Sequence, residues 1–227
     1  MPSIRTTGSK VSLAIFDVVG QDGDEVGFID HTGLAESAGS QHTGRIPVLD
    51  MGPPLHGQGS PNHIIANVVG SATLTDAEEQ KIRTFVDRHA SEHLIFQQLT
   101  GLPLLRLAPQ MFCVHPHASP LNEDDGRYVR MRFSCAGFVV EAYKKARIRL
   151  LDPSALPMVD IEIIRVGYPL QARLMDHDKI SPEDLGLRGS GPWPVLLCGY
   201  LFHALDRGTD AIRNGPFAPD VAHRHFS

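Results

Sequence analysis

Apolar and polar positions change rhythm along this chain, and each rhythm predicts an element. Residues 11–19, VSLAIFDVV, are β-branched and apolar, which predicts a strand. Turn chemistry follows around Gly20 and Gly23, and 26–37, VGFIDHTGLAES, predicts a second strand. Residues 38–62 are dense in Gly, Pro, Ser and His and predict a long loop holding one short strand, Arg45 to Leu49. HIIANVVG, 63–70, predicts another strand. Thr75 with Glu78 has the spacing of a capping box. Ile82, Phe85, Val86 and His89 then fall at helical intervals, so a helix runs from here to about 90 or beyond.

Prolines at 103, 109, 116 and 120 and the acidic turn Glu123 to Gly126 predict loops and short strands over 100–126. A second helix begins near Cys135, with Phe138, Val139, Ala142, Tyr143 and Ala146 as its apolar stripe. Residues 160–168, DIEIIRVGY, read as a strand. Ser181-Pro182 signals a helix start, and 194–207 predicts a last, largely buried helix. This order predicts one α+β domain spanning 1–227.

Composition narrows the function classes. The chain has 227 residues, 42% hydrophobic, with a formal net charge of -5. Such a chain offers no electrostatic footprint for a nucleic-acid backbone. Lys144, Lys145, Arg147 and Arg149 cluster where a helix ends, and there they complement its dipole. Three cysteines, at 113, 135 and 198, do not make a disulfide framework. The polar first ten residues lack a signal-peptide core. The apolar run 195–205 is too short to span a bilayer. The expectation is a cytoplasmic protein with no transmembrane segment.

The segment RMRFSCAGFVVEAY, 130–143, carries the candidate chemistry. A cysteine at a helix start has its thiolate favoured by the N-terminal amides. Ala136 and Gly137 let a substrate backbone approach, and the first-turn amides suit an oxyanion. The bland alternative is a cysteine that simply packs.

SCAGFVVEAYKKARIRL, 134–150, resembles the nucleophile helix of the NlpC/P60 papain-like cysteine hydrolases: Cys, small residues, an aromatic-apolar stripe, then Tyr-Lys. Asp30-His31-Thr32-Gly33-Leu34 resembles the His strand that precedes the Cys in the circularly permuted branch. That branch includes the YaeF/YiiX-like amidases and the lecithin:retinol acyltransferase-like proteins. Leu74 to Glu79 resembles the intervening helix start, and Ile180 to Leu185 the late Ser-Pro segment of the YiiX-like group. Ala136 stands where the group usually has Ser.

The resemblance implies a permuted papain-like fold, with an antiparallel sheet packed on the Cys135 helix. It implies a cysteine hydrolase, an amidase or peptidase with Cys135 as nucleophile and His31 as base. A third polar residue orients the imidazole; His42 is the positional choice, with Glu36 and Asp50 behind it and His63 as reserve base. No cofactor is required. The substrate is an amide- or ester-containing small molecule, peptide or lipid. Lipid acyl hydrolysis or acyl transfer by the same dyad is the alternative, and a non-catalytic binding module of the same fold is another.

Other clusters in the chain compete with this one. Cys113, His115 and His117 alternate and suit zinc, but a fourth local ligand is missing, so no metal is expected. His89 and His93 lie four apart without the metalloprotease glutamate, and read as structural. No G-x-S-x-G elbow is present for a serine hydrolase. Cys198, in Val195-Leu-Leu-Cys-Gly, reads as core.

Overall fold

The computed structural model describes residues 16–22, 29–36, 46–49, 62–64, 67–70, 72–97, 117–120, 129–167, 175–176 and 181–224. These make a mixed α+β structure. Strands β1 (Phe16–Asp22), β2 (Ile29–Glu36), β3 (Ile46–Leu49), β4 (Asn62–Ile64) and β5 (Asn67–Gly70) form an antiparallel sheet in the order β4-β3-β2-β1-β5. Two short antiparallel pairs follow, β6 (His117–Pro120) with β7 (Val129–Arg132) and β8 (Met158–Val159) with β9 (Trp193–Pro194). The helices are α1 (Asp76–Gln97), α2 (Cys135–Lys145), α3 (Ile161–Gly167), α4 (Cys198–Asp206) and α5 (Thr209–Asn214).

Four expectations need correction. β1 runs on through Gly20 to Asp22, so Gly20 sits in a strand rather than a turn. The run 63–70 is two strands, because pairing switches from β3 to β1 between Ile64 and Asn67. These strands are the two edges of the sheet. The three Cα steps from Ile64 to Asn67 reach at most about 11 Å. Four gaps across a flat five-stranded sheet span about 19 Å. The sheet therefore curls until its edges approach. The third correction is 160–168, which is helical from Ile161 to Gly167. Its β-branched residues favour a strand, but Asp160 decides otherwise. Its carboxylate accepts from the Ile163 amide at 3.0 Å and its carbonyl from the Ile164 amide at 3.3 Å, which nucleates the turn. Ile164 is then fully buried. The Ser181-Pro182 signal yields only a 3₁₀ turn, Pro182–Leu185.

The core joins one face of the sheet to α1, α2 and α4. Ile82, Phe85 and Val86 of α1, Phe138, Val139, Ala142 and Tyr143 of α2, and Tyr200, Leu201 and Leu205 of α4 are all buried. Leu34 of β2 is buried in the same cluster. No described helix is long and apolar enough to cross a membrane.

The capping box at α1 is present and extended. The Thr75 amide donates to Glu78 Oε2 at 2.8 Å, and the Glu78 amide donates back to Thr75 Oγ1 at 3.4 Å. Arg213 of α5 grips both Glu78 oxygens at 2.8 Å and also donates to the Thr73 carbonyl. This fork holds the Glu78 carboxyl at about 2, against an ordinary 4.5, despite some desolvation. A depressed carboxylate stabilises the fold fully above its unfolded value and loses that contribution as pH falls through its folded value. Glu78→Gln is expected to cost about 2 kcal/mol at pH 7, the size of a partly exposed charge-assisted pair. The deficit should shrink as pH falls from 4.5 toward 2, which urea titrations of both proteins at a series of pH values will check.

Candidate active site

The local fold around Cys135 begins at β7. After Arg132 the chain passes through buried Phe133 and Ser134, and α2 starts at Cys135. Ser134 is the N-cap, with extended backbone at φ -75 and ψ 164, and its hydroxyl accepts from the Gly137 amide at 2.9 Å. That amide is committed to the cap and does not serve an oxyanion. The helix ends in a left-handed residue, Arg147, at φ 65. There the amides of Arg147 and Ile148 return to the carbonyls of Lys144 and Tyr143. Both ends of α2 are thus fixed, and its middle is buried. Cys135 itself is half-buried.

A second sulfur meets the first. Cys135 Sγ lies 3.4 Å from Cys198 Sγ, although the two residues are 63 apart in sequence. Cys198 is the first residue of α4 and is 1% exposed. Two helices therefore begin at cysteines whose sulfurs touch. Thr32 of β2, fully enclosed, donates its hydroxyl toward Cys198 Sγ at 3.7 Å. The described site is thus a chain of three groups, Thr32, Cys198 and Cys135, set in apolar packing. Close helix approach beside it depends on Gly199: an added Cβ there would sit 2.1 Å from the Arg224 carbonyl oxygen.

The sequence-level candidates fall as follows. β2 carries His31, paired with Gln21 of β1, and packs against α2. A strand alternates faces with a period of two. Thr32 and Leu34 share the face turned to the helices, so His31 has the opposite parity; its side chain is outside the described ones. The β1–β2 register shifts between Gln21 and Asp22, leaving Asp30 without a counterpart immediately before His31. Glu36 closes β2, and His63 lies in β4, two strands from β2. His42, Asp50, Cys113 and His115 are outside the described residues, and His117 opens β6.

His89 is buried among aromatic rings, with its centroid 4.5 Å from that of Phe85 and 5.1 Å from that of Phe133, in keeping with a structural role. No cluster of metal-ligating side chains occurs among the described residues. A groove of about 580 Å³ between α1 and α2 is floored by Phe85, His89 and Phe133 and rimmed by Lys81, Arg88 and Lys145. Neither Cys135 nor Cys198 lines it.

Reading Cys198 only as core gave its burial correctly and missed its partner. The signal was present: Cys198-Gly199-Tyr200-Leu201-Phe202 repeats the pattern of cysteine, small residue and aromatic-apolar stripe that begins at Cys135. No family model, curated protein or solved structure matches the chain.

Proposed function

We propose that this chain is a cysteine hydrolase of the permuted NlpC/P60 papain-like type, acting on an amide bond through Cys135 and His31. The observation that carries the reading is the placement of Cys135. It is a half-exposed thiol at the first position of a capped, core-anchored helix. A sulfur there is held in place rather than carried on a loop, and the helix dipole favours its anion. The neighbouring groups point the same way. Once Cys135 is a thiolate it can only accept, so the Cys198 S–H becomes the donor across the 3.4 Å contact, and a hydrogen bond to the charged form favours that form.

The base is assigned to His31 by the resemblance of Asp30 to Leu34 to the family's His strand. β2, the strand that carries it, packs against α2, the helix that begins at Cys135. In the proposed reaction, the Cys135 proton passes to His31. The thiolate forms a bond to the substrate carbonyl carbon, and the carbonyl electron pair moves to oxygen. Collapse of this intermediate breaks the C–N bond, and the imidazolium protonates the departing amine. Water then attacks the thioester, His31 takes its proton, and the acid leaves with Cys135 restored. A lipid ester would enter the same sequence with an alcohol as leaving group.

The test is the rate of iodoacetamide alkylation of each cysteine against pH, read by peptide mass spectrometry in the parent and in His31→Ala. Cys135 should react fastest below neutral pH, and the substitution should remove that advantage. An unchanged profile in His31→Ala would reject the histidine. A Cys135 that titrates like an ordinary thiol would reject the hydrolase reading.

A further inference from the structure

We propose that Cys135 and Cys198 form a reversible disulfide modification site, with Cys135 as the sulfur that peroxide attacks and Cys198 as the one that resolves it. Two observations carry this independently of any hydrolase activity. The sulfurs are already 3.4 Å apart, against about 2.0 Å in a disulfide. Both sit at the starts of helices, where the thiolate needed for attack is favoured. Neither is in a disulfide here.

Access sets the order of events. Cys135 is half-exposed and Cys198 is enclosed, so a small oxidant reaches Cys135 first. The Cys135 thiolate takes one oxygen from hydrogen peroxide, releasing hydroxide and becoming a sulfenic acid. The Cys198 thiolate then attacks the Cys135 sulfur. The S–O bond breaks, the S–S bond forms, and the hydroxide released takes up the proton that Cys198 lost, leaving as water. Two electrons have passed from the two sulfurs to one peroxide. A dithiol reductant reverses the step by thiol–disulfide exchange. The Thr32 hydroxyl at Cys198 supports the resolving thiolate. On the proposed function this modification would remove the nucleophile and protect it from irreversible over-oxidation.

The experiment treats the reduced full-length chain with hydrogen peroxide and dimedone, a sulfenic-acid trap, and maps peptides by mass. The expected product is a Cys135–Cys198 linked peptide, about 2 Da lighter than the two reduced peptides and restored by dithiothreitol. In Cys198→Ser, and in Cys198→Ala should serine disturb the core, Cys135 should instead carry dimedone and pass to sulfinic acid. Phenylarsine oxide, which bridges paired thiols, should protect both cysteines of the parent from alkylation together. Dimedone on Cys135 of the parent without the link, a link to Cys113 instead, or arsenical protection of one cysteine alone would overturn the proposal. Because all readouts are masses, a chain with no hydrolase activity can still pass, and an active one can still fail.

Discussion

Cys135→Ala is expected to abolish turnover of any acyl substrate the chain cleaves, by on the order of 10³-fold or more, while the fold stays intact. The size follows from the proposed role: without the sulfur no acyl-enzyme can form, and only binding and electrostatic effects remain. The fold should survive because alanine is a good helix former and the N-cap belongs to Ser134, not to Cys135. Release of free amine from a panel of acyl amides and esters, with circular dichroism of both proteins, checks the two halves together. Cys135→Ser should be nearly as inactive, since a hydroxyl at this position is far less acidic than a thiol. Turnover retained in Cys135→Ala would place the chemistry elsewhere.

The second large effect is on stability. Phe138→Ala is expected to cost about 3–5 kcal/mol, the usual range for emptying a buried phenylalanine site. Phe138 is 1% exposed, and its ring lies 5.3 Å from that of Phe85 and 5.8 Å from that of Phe133. It is therefore a principal contact between α2 and α1. A domain holds only about 5–15 kcal/mol in total, so the melting temperature should drop by roughly 10 °C. The denaturation midpoint should fall with the slope unchanged. Cys135 lies one turn away, so its distinctive alkylation rate should weaken as well. Phe138→Leu, which refills most of the volume, should recover much of both.

What could be read from the chain was mostly what neighbouring residues decide among themselves. The Thr75–Glu78 box, the helix from Cys135 and the strand around His31 all have local causes, and all are present. The failures have two sources. At 160–168, apolar content masked a capping carboxylate at the first residue of the run, Asp160. At the α1 cap and beside Cys135 the missing information was long-range. Arg213 meets Glu78 across 135 residues, and Cys198 meets Cys135 across 63. No periodicity reports such a meeting. The candidate site shows this division. The helix start that holds Cys135 was legible from local sequence, and the second sulfur beside it only from the packing of two helices.

The curl of the sheet has a consequence for how it assembles. β4 and β5 close opposite edges, yet only residues 65 and 66 lie between them. A link of two residues has few conformations of its own, so placing one strand largely fixes where the next begins. Once β4 has paired with β3, β5 is delivered to β1 at a very high effective concentration. The two borders of the sheet should zip as one event, and the curvature that brings them together is recorded in that two-residue step.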